Sequence, residues 1–128
     1  MTLNNPIKTE EIKEIDFHIM TMYDNARNNN LIYKGLVFQC LGCGKEHIVM
    51  IEHPYVPRDI FNNDYHNPTM TQPILLTEDD GMPKGERCHY VIEYGYLEYF
   101  FDCTHNLANK RIKVVYKPEA DRVAYWFG

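Results

Sequence analysis

At 128 residues and 15.2 kDa the chain has the length of one domain, and its 45% hydrophobic and 24% charged residues are ordinary for a globular protein. The net charge of -5 argues against direct nucleic-acid binding by bulk counterion displacement, and the sequence contains no serine, which removes serine–histidine–carboxylate hydrolysis. No run approaches the ~20 apolar residues that span a bilayer, and Met1–Phe17 carries Lys8, Glu10, Glu11, Lys13, Glu14 and Asp16 where a secretion signal would be apolar, so a cytoplasmic protein with no membrane association is expected.

In chain order, Thr9 is suited to cap a helix. Ile12, Ile15, Ile19, Tyr23 and Ala26 then recur at three- and four-residue spacing, and the run Asn28–Asn30 is suited to end that helix. Residues 1–30 are therefore predicted as an N-terminal helical extension. From Leu31 the pattern changes to short runs of β-branched and aromatic residues. Leu31–Gln39, His47–Glu52, Met70–Thr77, Cys88–Glu93, Tyr96–Asp102, Arg111–Lys117 and Arg122–Phe127 read as strands. Clusters rich in Pro, Gly, Asn and Asp separate them. The expectation is an α+β protein in which residues 31–128 form a mostly antiparallel, zinc-stabilised β domain. The basic cluster Lys110, Arg111 and Lys113 reads as a solvated strand face.

The cysteines carry the chemistry. Cys40 and Cys43 form Cys-Leu-Gly-Cys-Gly, a zinc-ribbon-like C-x-x-C knuckle at a strand end, where two thiolates close in sequence converge on one cation. A redox pair would open a helix, whereas Glu46–Ile51 continues as strand. Cys88 and Cys103 flank a hairpin. If Tyr94-Gly95 is its two-residue loop, Glu93 faces Tyr96, and Cys88 and Cys103 share one face, with His89 turned toward Asp102. These four cysteines are the expected structural zinc ligands, with His105 as the substitute for Cys103. His47, His89 and Asp102 are expected to support the ligands or line a pocket beside them. His18 is read as a surface residue, and His53 and His66 as solvated loop residues. No P-loop, His-x-Glu deaminase motif, H-E-x-x-H or G-x-G-x-x-G occurs.

These residues resemble a small family found mainly in bacteriophages and prophages, whose members often carry the label "ammonia monooxygenase". The likeness runs from the first knuckle onward: Cys40, Cys43, Gly44 and His47; Pro68-Thr69-Met70-Thr71-Gln72-Pro73-Ile74; Cys88-His89; and Asp102-Cys103-Thr104-His105-Asn106-Leu107-Ala108-Asn109. Tyr94 and Asn109 stand where the family pattern has Asp and Gly, and the second Pro is displaced by one. The family's Cys at the position of Cys103 can be Ser, which implies His105 or His89 as the alternative fourth ligand. The label finds no support, since a membrane copper assembly needs spans and a copper-binding histidine cluster. The resemblance implies a zinc-binding phage protein in the cytoplasm of a bacterial host cell, acting on a protein partner. An inhibitor of a bacterial defence nuclease is one concrete form. The expected contact surface is the N-terminal helix with the Tyr-rich hairpin face around Tyr96 and Glu98, its acidity suiting a basic nucleic-acid enzyme. The other reading is a small metal-dependent hydrolase whose zinc keeps one position open for water.

Overall fold

The computed structural model describes residues 14–25, 31–55 and 60–126. Among them are eight strands and no α-helix: β1 (Glu14–Asp24), β2 (Leu31–Cys40), β3 (Lys45–Glu52), β4 (Ile74–Leu76), β5 (Cys88–Glu93), β6 (Tyr96–Tyr99), β7 (Arg111–Tyr116) and β8 (Arg122–Trp126). They form one sheet in the order β3-β2-β1-β7-β6-β5-β4, with β8 also pairing with β1. The protein is β-rich rather than α+β.

The N-terminal helix expected over residues 1–30 is overturned by β1, and the part of that expectation on residues 1–13 and 26–30 lies outside the described residues. The reason is a coincidence of periods. Residues four apart share a face in a helix and in a strand alike, so Ile15, Ile19 and Tyr23 cannot tell the two apart. Phe17 can, because two positions from Ile15 is the far side of a helix but the same side of a strand. Ile15, Phe17 and Ile19 are all buried, while Glu14 and Asp16 are exposed and His18 is half-buried. Far from being an extension, β1 lies at the centre of the sheet.

β1 runs antiparallel to β2, with Phe17 opposite Phe38 and Asp24 opposite Leu31. Its other edge is shared. Glu14–Phe17 pairs in parallel with β7, and Met20–Asp24 pairs in parallel with β8. Between β7 and β8 a 3-10 turn at Pro118–Ala120 interrupts the ladder. The gap is bridged by Lys117 N–H, which donates to the Phe17 carbonyl at 2.8 Å, and by the Asp121 carboxylate, which accepts from Ile19 N–H at 2.8 Å. The β1 backbone is thereby satisfied across the break.

The hairpin joining β5 to β6 turns on Tyr94 and Gly95, both with positive φ (51° and 85°), as a two-residue turn matched to strand twist requires. Glu93 faces Tyr96 as the sequence pattern predicts. The sheet curls into a half-barrel, so the β2–β3 wing faces the β5–β6 wing across the core. Phe38 of one meets Tyr90 of the other edge to face, with ring centroids 5.5 Å apart. The inward residues of both wings, Leu36, Phe38, Cys40, Val49 and Ile51 against Cys88, Tyr90, Ile92, Leu97 and Tyr99, are the core.

Candidate metal centre

The curl brings the ends of the two wings together, and the cysteines lie there. Cys40 is the last residue of β2 and points inward with Leu36 and Phe38. The chain then turns through residues 41–44, closed by Gly44 N–H donating to the Cys40 carbonyl at 2.9 Å. Gly44 takes φ 72°, a left-handed conformation that costs glycine little, and so delivers the chain into β3 with Lys45 opposite Cys40. His47 stands opposite Phe38 and starts the inward series His47, Val49, Ile51. From the other wing, Cys88 opens β5 with its side chain fully buried.

One ligand atom from each of Cys40, Cys43, His47 and Cys88 lies within 4.8 Å of the others. In a zinc tetrahedron with bonds of about 2.3 Å to sulfur and 2.0 Å to nitrogen, neighbouring donors are about 3.5–3.8 Å apart, a spacing comparable with that of this cluster. A second group, Cys88, Cys103 and His105, shares Cys88 with the first.

The surrounding hydrogen bonds separate the two histidines. His47 Nε2 lies 2.9 Å from Cys43 Sγ, and its Nδ1 lies 3.3 Å from the Tyr90 hydroxyl. A hydroxyl accepts as well as donates, so Nδ1–H can point to Tyr90 and leave the Nε2 lone pair for a cation, the usual arrangement of a metal-bound histidine. His105 differs. Its Nδ1 accepts from Leu107 N–H at 3.2 Å, which places the ring proton on Nε2, 3.3 Å from Cys88 Sγ. His105 is thus an N–H donor to the Cys88 sulfur. The ring lies over Gly42, where a Cβ would stand 2.3 Å from Nδ1, and meets Tyr99 edge to face.

Three thiols this close cannot all ionise without a cation. Hydrogen bonding from Cys88, with further donors at His105 and Tyr99, pulls the Cys40 thiol far below its usual range. The Tyr99 hydroxyl is 3.1 Å from Cys40 Sγ, and burial keeps that phenol protonated, so it donates. The shared proton with Cys40 then pushes Cys88 strongly up, and burial pushes Cys43 up as well. Desolvation lowers His47, which favours the neutral ring. A bound divalent cation reverses the cost of the two missing thiolates. His47 is 4% exposed, and its two ring nitrogens meet Cys43 Sγ and the Tyr90 hydroxyl.

The other expected residues fall around this centre. Cys103 is buried beyond Cys88 and engages the backbone of His89: its Sγ accepts from His89 N–H and donates to the His89 carbonyl, both at 3.2 Å. The strand-face reasoning that coupled Cys103 to Phe101 does not describe it, because β6 ends at Tyr99, the chain turns at once, and Phe101 is exposed while Cys103 is buried. His89 Nδ1 meets Asp102 at 3.0 Å, and Arg87 pairs with the same carboxylate at 3.2 Å. These charges hold down the loop after β6 and lie outside both ligand groups. His47 was expected as a supporting residue and stands among the donors. The C-x-x-C-x-x-x-His spacing was the signal for it, and alternation from His47 to Ile51 fixed its inward side.

Basic side chains stand beside two residues of the expected contact surface. Tyr96 lies beneath Arg111, 4.0 Å from ring centroid to guanidinium carbon, with Lys113 at 5.5 Å, and Glu98 pairs with Arg111. Cations from β7 therefore offset that face. Among the described residues no helix is long and apolar enough to cross a membrane. Compared with family models, with curated proteins and with solved structures, the chain finds no match.

Proposed function

We propose that this is a noncatalytic, zinc-stabilised β domain that acts by binding another macromolecule, with Cys40, Cys43, His47 and Cys88 as the metal ligands. The observation that carries the reading is the convergence of these four donor atoms, from both wings of the curled sheet, within 4.8 Å of one another. Three thiolates and one imidazole in a tetrahedral set suit zinc, and four protein donors leave no position for an activated water. That favours a structural role over the metal-dependent hydrolase, which needs an exchangeable site.

The net charge of -5 suits a protein with a basic surface, such as a nucleic-acid enzyme, and the resemblance to a phage and prophage family suggests one belonging to a bacterial host. Inhibition of a defence nuclease is the concrete form of this proposal. Elemental analysis and X-ray absorption on untagged protein test the metal. One zinc per chain with three sulfurs at about 2.3 Å and one nitrogen at about 2.0 Å is expected. Protein purified without chelators that holds no metal, or a metal with a bound water in place of one protein ligand, refutes the structural assignment. Affinity capture from bacterial lysate at low salt tests the partner, and recovery of none counts against the binding role.

A further inference from the structure

The proposed zinc uses three of the four cysteines, and Cys103 is the fourth. Its sulfur shares a group with Cys88 Sγ, the ligand atoms lying within 4.8 Å. It is held there by both backbone polar groups of His89, the residue next to Cys88. Cys103 retains 9% exposure, whereas Cys88 has none, so a small oxidant reaches the pair from the Cys103 side. Cys88 is also the single proposed ligand from the β5 wing, since Cys40, Cys43 and His47 all belong to the β2–β3 hairpin.

We propose that Cys88 and Cys103 are a peroxide-sensitive pair whose oxidation to a disulfide discharges the metal and unclips the two wings. This inference rests on the zinc reading above. The Cys103 sulfur attacks hydrogen peroxide, the O–O bond breaks, and a sulfenic acid and one water result. The Cys88 thiolate leaves the metal and attacks that sulfur, so that the S–S bond forms, the S–O bond breaks, and the oxygen departs as a second water. One Cys103 thiol, one metal-bound Cys88 thiolate, one peroxide and one proton give one disulfide and two waters. The two sulfurs lose two electrons and the peroxide gains them. Cys40, Cys43 and His47, three donors on one hairpin, would then be left to hold the ion alone and would release it.

The test is peroxide titration of purified protein whose zinc has first been counted, with release followed by a chromogenic chelator and cross-links mapped by peptide mass spectrometry. Zinc release in step with a Cys88–Cys103 cross-link is the expected result. Cys103→Ser should be isolated with its full zinc and release it several-fold more slowly. A Cys40–Cys43 cross-link in the parent protein, or equal release rates in parent and variant, overturns the pair. Should Cys103→Ser fail to fold, the parent cross-link map decides alone. Protein that starts without zinc overturns the metal reading, and with it the discharge, before any peroxide is added.

Discussion

Gly42 offers a direct test of how the centre is packed. A methyl group there would stand 2.3 Å from His105 Nδ1, 2.5 Å from Cε1 and 2.6 Å from Cγ. Carbon contacts settle at about 3.5–4.0 Å, so the ring must retreat by about 1 Å. It cannot do so freely, because Leu107 N–H holds Nδ1, Cys88 Sγ holds Nε2 and Tyr99 walls the ring. Overpacking of this kind costs about 1–3 kcal/mol, and loosening a hydrogen bond to a thiolate adds to it. The backbone works the other way: Gly42 is not among the positive-φ glycines, so alanine is unstrained and recovers about 0.4–1 kcal/mol from the unfolded state. The net expectation for Gly42→Ala is a loss of about 1–3 kcal/mol. With an unfolding entropy of about 2.1 cal/mol/K per residue over 128 residues, the thermal midpoint of the metal-loaded protein should fall by about 4–11 °C. In a His105→Ala background the three ring atoms nearest the new methyl are gone, and the same substitution should cost much less. An equal loss in both backgrounds would refute the packing of His105 on Gly42. Gly44→Ala is the control: its Cβ meets nothing within 4 Å, so its cost is backbone strain at φ 72° and should not depend on His105.

Three further outcomes are expected. His47→Ala should abolish stoichiometric zinc binding, whereas His105→Ala should keep one zinc at about 10–100-fold weaker affinity, as loss of a hydrogen bond to a ligand does; chelator competition measures both, and the reverse order would exchange the roles of the two rings. In metal-stripped protein, burial holds the folded pKa of His47 below its ordinary value of 6.5, so between the two values the unfolded chain binds the extra proton. Stability should therefore fall as pH drops below 6.5, by at most about 1.4 kcal/mol per pH unit, and urea midpoints at pH 7.5 and 5.5 should differ less in His47→Gln. Phe17 is 1% exposed, so Phe17→Ala should cost about 3–5 kcal/mol in denaturant unfolding. A loss under 1 kcal/mol would place it outside the core.

What could be read from the residues alone divides along physical lines. Strands β2, β3 and β5 to β8 declare themselves by β-branched runs between turn residues. The Tyr94-Gly95 register holds although tyrosine is a poor residue for φ 51°. There the cross-strand pairing and Gly95 outweigh a local penalty. β1 was hidden because its apolar residues fit two periods, and the choice between them lay in Phe17 and in partners as distant as β8. At the candidate metal centre, the C-x-x-C spacing marks Cys40 and Cys43, whereas their approach to Cys88 comes from the curl that brings the two wings together. The C-x-x-C-x-x-x-His spacing and strand alternation place His47 beside the knuckle, but whether its ring or that of His105 offers a lone pair depends on where each ring's second nitrogen finds its proton partner. Leu107 and Tyr90, which decide it, are tertiary neighbours.

The broken edge of β1 has a consequence for the order of assembly. Met20–Asp24 can complete its ladder only once residues 122–126 arrive, a sequence separation of about a hundred residues. While the chain is being synthesised, β2 and β3 can zip onto β1 as a local meander, but the opposite edge stays open until the last of these segments emerges. An unpaired edge of that length is a template for other chains. Folding of this topology is correspondingly slow, because the closing contacts span nearly the whole chain. The nascent protein is therefore most vulnerable to aggregation late in translation, and truncation upstream of Arg122 should convert it from a folding chain into a sticky one.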